Sequence, residues 1–254
     1  MDDGLDRIPP SKLVDMFELR VAEHPGKILY TFLPSENGCD APASWTYAEV
    51  QRRARTIAAR LQENHLEGER ALLVYPACLE FNAAFLGCLY AGVIAVPVYP
   101  PHFAETHRRV GGLEGILNDA TPAVALTTRE LLGLIAATPE LGFAITPDRM
   151  IATDDLDAAH SDRWTRPGRL DGDTVAFLQD TSGSTRAPKG VVVGHNNLIA
   201  NEEPVPRPCG RCRRRSRGPV QRVRRLPATP SRASGCVASS RTCAVFSSND
   251  CRPT

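Results

Sequence analysis

From Phe81 to Ala104 the chain carries no Asp, Glu, Lys or Arg. An uncharged run of that length belongs inside a bilayer or inside a protein core. Its interruptions separate the two. Asn82, Gly87, Gly92, Pro97, Pro100 and Pro101 break the run, whereas a membrane helix needs about 20 predominantly apolar residues. The pattern predicts a buried helix over 79–91, closed by Gly92, and then a β-branched strand over 93–99.

The same alternation extends on both sides. A first helix is expected over 11–23, with Leu13, Val14, Phe17 and Val21 on one face. Residues 27–33 read as a strand, and Asn37-Gly38 as a turn. Thr46 and Glu49 have capping-box spacing. Behind them Val50, Ala54, Ile57, Ala58 and Leu61 recur at helical intervals, leaving Arg52, Arg53, Arg55 and Arg60 on a solvated face. Further strands are expected at 70–75, 123–127, 150–152, 174–178 and 191–193, and further helices at 106–118 and 129–137. Residues 154–169 are polar and read as a surface connection. Strands alternating with helices predict a layered α/β domain with a largely parallel sheet.

That description stops near residue 203. Residues 204–254 hold 12 Arg, no Lys and one acid (Asp250), a net charge of +11, against −10 for residues 1–203. They also contain five of the eight Cys but only one aromatic residue, Phe246. Such a segment cannot offset its ordering entropy by burial. Three parts are therefore expected: an N-terminal arm (1–10), an α/β part (11–203) and a disordered basic tail (204–254). The tail admits three readings. Cys209 and Cys212 have CxxC spacing beside Arg213, Arg214, Arg215 and Arg217, as in a zinc knuckle or RNA-binding arm. However, the tail has no His, no second CxxC and no aromatic near the basic run. Plain disorder, or a change of reading frame near Glu203 in a GC-rich gene, fits the mixture better. Nucleic acid is accordingly not an expected partner. No signal peptide is expected after the acidic Met1–Asp6. Cys39, Cys78 and Cys88 read as reduced thiols, so a cytoplasmic setting is expected.

One segment carries chemistry: Thr181, Ser182, Gly183, Ser184, Thr185, Arg186, Ala187, Pro188, Lys189 and Gly190, set between two strand-like runs. Small hydroxyl residues let a backbone approach a polyanion and offer N–H and O–H donors. A lysine just beyond adds positive charge. The order is not that of a P-loop, which needs Gly before the Lys and Ser or Thr after it. Composition alone also suits an ordinary surface turn.

The residue order, TSGSTxxPKG, closely resembles the signature of the adenylate-forming superfamily. Trp45-Thr46-Tyr47-Ala48-Glu49, the strand from Gly68 to Tyr75 and the run Phe85 to Gly92 resemble its earlier blocks. Tyr99-Pro100-Pro101, Leu178-Gln179 and Asn196-Asn197-Leu198 resemble one branch of it, the fatty acyl-AMP ligases. The resemblance covers about residues 11–203. It implies an incomplete layered α/β domain of the adenylate-forming enzyme N-terminal type, and ATP-dependent activation of a fatty acid to an acyl-adenylate with release of pyrophosphate. Thr181, Ser182, Gly183, Ser184 and Thr185 would wrap the β- and γ-phosphates, followed by Lys189 and Gly190, with Mg²⁺ bridging oxygens. The acyl group would pass to an acyl carrier protein or polyketide synthase. A fatty acyl-CoA synthetase fragment is the alternative within enzymes. A nucleic-acid-binding protein acting through the tail is the alternative from another class.

Three residues depart from the family pattern. Arg186 replaces a usual Gly, which matters if that position needs φ > 0. Asp180 replaces an aromatic residue, and Gly194 a Ser before His195, for which a structural role is expected. The family's adenine, ribose and Mg²⁺ motifs, its hinge and its catalytic Lys have no counterpart here. No catalytic residue is therefore assigned, and these residues alone are expected to be inactive. Without later segments, the apolar faces of 93–98 and 175–178 are expected to lack cover.

Overall fold

The computed structural model describes residues 13–33, 43–100, 110–138, 145–168, 170–181 and 189–202. The expected arm, the Asn37-Gly38 turn, Cys39, the start of the 106–118 helix and the basic tail lie outside the described residues. The centre is a six-stranded sheet in the order β6-β5-β3-β4-β7-β8. Its strands are β3 (Arg70–Val74), β4 (Ile94–Val98), β5 (Val124–Thr127), β6 (Met150–Ala152), β7 (Val175–Thr181) and β8 (Lys189–Gly194). All neighbours are parallel except β7 and β8. A separate antiparallel pair is formed by β1 (Ile28–Phe32) and β2 (Ala43–Thr46).

Helices cover both faces of the sheet. On one face lie α1 (Leu13–Glu23), α2 (Tyr47–Glu63) and α3 (Glu80–Ala91); on the other, α4 (Val110–Ala120) and α5 (Arg129–Ala137). The strand sequences follow from this. In β3, Ala71 and Leu73 enter the first layer while Leu72 and Val74 enter the second, so the strand is apolar throughout rather than alternating.

The uncharged run is explained by α3. It lies between the sheet and α2, and eight of its twelve residues are buried. A helix buried all round has no polar face. Gly87 sets the spacing: a Cβ there would stand 2.8 Å from Ile57 Cβ and Cγ2. Gly92 ends the helix at φ +70°, a left-handed cap that glycine adopts without strain. The capping box of α2 is present, with Glu49 N donating to Thr46 Oγ1 (3.3 Å) and Thr46 N to Glu49 Oε2 (2.7 Å).

Three expectations need correction. Arg53 and Arg55 are not simply solvated. Arg53 pairs with Glu80 (2.7 Å) and lies over the Trp45 ring; Arg55 pairs with Glu18 (2.8 Å) and lies over Trp164. Residues 154–169 are not a plain surface connection. They include a 3₁₀ segment (Ala158–Arg163) beside α2, and Trp164 donates to Tyr90 O (2.9 Å) while packing edge-on against the Tyr90 ring. Their polar composition hid one anchoring aromatic. Finally, Val93, Ala95, Val96 and Ala176 are buried, and Phe177 packs on Phe85 at 5.5 Å. Helices from within the chain thus cover part of the faces expected to lack cover, while Ile94, Val98, Val175 and Leu178 stay only half-buried.

Candidate functional site

In an open α/β sheet, ligands bind outside the carboxyl ends of the strands, where successive connections leave toward opposite faces. This sheet has such a place. From β3 the chain enters α3 on one face, whereas its neighbours β4 and β5 lead into α4 and α5 on the other. The carboxyl end of β7 lies along the same edge, because β7 is parallel to β4 with Phe177 opposite Ala95.

Polar groups tie the carboxyl ends of β3, β5 and β6 together. Thr153 Oγ1 donates to Thr127 O (3.3 Å) and accepts from Tyr75 OH (2.8 Å). Burial pushes the Tyr75 phenol well above its ordinary range, so it stays a donor. Glu80, at the start of α3, is raised from 4.5 chiefly by desolvation; Arg53 works against that shift and Asp154 adds to it. Burial also raises the Cys78 and Cys88 thiols, which makes them poor nucleophiles.

The hydroxyl-rich segment is placed by β7 and β8. Thr181 is the last residue of β7 and Lys189 the first of β8, and the two are partners in the ladder. Gly190 pairs with Asp180. Residues 182–188, which include Ser182, Gly183, Ser184, Thr185 and Arg186, lie outside the described residues. The ladder thus fixes both ends of the segment at the carboxyl edge of the sheet. His195 opens α6 (His195–Glu202) and is buried, as expected of a structural residue.

No group of three or more His, Cys, Asp or Glu side chains suited to a metal ion occurs among the described residues. They offer no protein cage for Mg²⁺, an ion that commonly keeps waters and binds through phosphate oxygens. Among the same residues no helix is long and apolar enough to cross a membrane.

The AMP-binding enzyme family matches residues 17–216, and the chain belongs to that family. It is similar to the medium-chain-fatty-acid–[acyl-carrier-protein] ligase JamA of Moorena producens, with 42% identity over 190 residues, 74% of this chain and 32% of JamA. It is also similar to the long-chain-fatty-acid–AMP ligase FadD32 of Mycolicibacterium smegmatis, with 35% identity over 201 residues, 78% of this chain and 31% of that protein. Among solved structures, it resembles a fatty acyl-adenylate ligase from L. pneumophila in complex with acyl adenylate and pyrophosphate. The TM-score is 0.65 at 34% identity, covering 76% of this chain and 32% of that one. The match is to the N-terminal part of such ligases, as the residue order implied. The chain spans about a third of the length of these relatives.

Proposed function

We propose that this chain is the phosphate-gripping part of a fatty acyl-AMP ligase. In this reading Thr181, Ser182, Gly183, Ser184 and Thr185 surround the β- and γ-phosphates of ATP, and Lys189, followed by Gly190, neutralises the departing pyrophosphate. The observation that supports it most is the pairing of Thr181 with Lys189 at the carboxyl edge of the sheet. A fatty carboxylate is already ionised at neutral pH, so its attack on the α-phosphorus needs no general base. Positioning and charge neutralisation then carry the rate. Mg²⁺ would arrive on the phosphate oxygens of the nucleotide. An acyl carrier protein, free or within a polyketide synthase, is the proposed acceptor, supported by the name of JamA. Free Cys78 and Cys88 suit a cytoplasmic setting.

We assign residues 11–203 to the partial adenylation domain, 1–10 to an arm and 204–254 to a tail outside its core. These 254 residues alone should not form acyl-adenylate, since adenine, ribose and carboxylate must also be held in line. Titration of pyrophosphate with Mg²⁺ into the chain tests the assignment. Lys189→Ala should weaken binding about ten- to a hundredfold, the loss of one charge-assisted contact. Equal affinity in the two proteins would remove Lys189 from the site. Fatty-acid-dependent pyrophosphate release above the Lys189→Ala background would show that the chain is active by itself.

A further inference from the structure

The β7–β8 hairpin has a second end, at Val175 and Gly194, and it is fastened by polar groups that phosphate binding does not use. Asp171 Oδ1 accepts from Asp173 N (3.0 Å), Thr174 N (2.8 Å) and Thr174 Oγ1 (2.9 Å), while Asp171 N donates to Thr174 Oγ1 (3.0 Å). This turn offers two carbonyls to the start of α6. His195 N donates to Thr174 O (3.1 Å) and Asn196 N to Gly172 O (2.8 Å). The helix answers with side chains. Asn197 Oδ1 accepts from Gly194 N (2.9 Å), which is half of a capping box, and Asn196 Nδ2 donates to Asp173 Oδ1 (3.3 Å). Asn196 lies directly over Gly172, where a Cβ would stand 2.0 Å from its Oδ1.

Between this fastening and the candidate loop the ladder has one irregularity. Val175 faces Gly194 but Phe177 faces Val193, so Ala176 is an extra residue, a β-bulge. From Phe177 to Thr181 the register is then constant. Among the described residues β8 lies at the edge of the sheet, with β7 beside it and no further strand on its other side. If the bulge is lost, the ladder shifts by one residue, and such a shift reverses the face that each position of a strand occupies. Thr181 would no longer oppose Lys189, and the two ends of the loop would be offset.

We infer that Asp171, Asn196 and Asn197 are positioning residues for the phosphate loop: they hold the bulge at Ala176 and, through it, the Thr181–Lys189 register. The inference rests on the assignment of residues 181–185 and Lys189 to phosphate. Its test uses the full chain and two readouts, pyrophosphate titration with Mg²⁺ and amide hydrogen exchange. The Asp171→Ala/Asn197→Ala pair removes two fastening acceptors, and Gly172→Ala unseats Asn196 from the other side. Both should weaken pyrophosphate binding roughly ten- to a hundredfold, the scale of an ångström-sized misplacement. Exchange should quicken over 177–181 and 189–193, while β3 amides keep their protection. The Asp171→Asn/Asn197→Asp pair retains both oxygen acceptors and should keep both properties. Wild-type exchange in the hairpin of the Ala pair, or a loosened hairpin with unchanged pyrophosphate affinity, overturns the inference. Should the unaltered chain bind no pyrophosphate, the phosphate assignment fails. Exchange in the hairpin then decides the fastening alone, and unchanged protection in the Ala pair rejects it.

Discussion

The parallel centre of the sheet and its antiparallel edge are held together differently. β3 and β5 are buried on both faces, and Leu72, Leu73 and Leu126 are fully inaccessible. Their order comes from side chains packed between two helical layers. The β7–β8 hairpin is half-buried and joins the centre through β4, with Phe177 opposite Ala95. Its far end depends on hydrogen bonds among Asp171, Thr174, Asn196 and Asn197. The contrast suits the proposed roles: binding elements are commonly drawn from the less stable part of a fold and carried by a rigid centre.

Truncation should expose that contrast most strongly. Leu126→Ala, in the two-sided core, should cost about 2–5 kcal/mol in urea unfolding, whereas Leu178→Ala in the half-buried hairpin should cost about 1 kcal/mol. Equal losses would mean that the hairpin is part of the same rigid unit. A smaller effect tests how closely the first helical layer is packed. Gly87→Ala places a Cβ 2.8 Å from Ile57 and should destabilise by about 1–3 kcal/mol. No change in the unfolding midpoint would show that α2 and α3 separate freely.

Next comes the α2 cap, where Thr46→Ala should cost about 0.5–2 kcal/mol. The Thr46 backbone N–H, then its hydroxyl, holds the Glu49 carboxyl below its ordinary 4.5. A lowered folded pKa means that this stabilisation is present above the unfolded value and is lost as pH falls through the folded one. Acid titration of stability should therefore lose part of its fall below about pH 4.5 in Glu49→Gln; an unaltered profile would remove the cap from the account. The smallest effect belongs to the loop. Arg186→Gly should tighten pyrophosphate binding by roughly two- to fivefold if that position needs φ > 0. Weaker binding would make Arg186 a phosphate ligand instead.

Much of this architecture is legible in the residues. The helix over 79–91, its Gly92 stop and the Thr46–Glu49 cap follow from local rules, and all three are present. Arg53 and Arg55 show where such rules end. Periodicity places them off the apolar stripe, yet their partners, Glu80 and Glu18, lie 27 and 37 residues away in sequence. Trp164 was hidden for the same reason, since its partner Tyr90 lies across 74 residues. At the site, the residue types and their order were visible. The fastening was not: the turn at Asp171 and the pair Asn196-Asn197 meet only in the folded chain, more than 20 residues apart in sequence.

The sequence by itself determined most of the helices and the strands of the central sheet, though not β2 or the 3₁₀ segment at Ala158–Arg163. It also determined that the sheet is mostly parallel, and which family's phosphate-loop order the chain carries. These properties depend on periodicity, caps and residue order, all of them short-range. Tertiary structure alone decided that helices from within the chain cover both faces of β3 and β4. It also decided that Thr181 stands opposite Lys189, through a bulge clamped at the far end of the hairpin. Burial and register depend on which distant segments meet, and a meeting between residues far apart in sequence leaves no periodic mark along the chain.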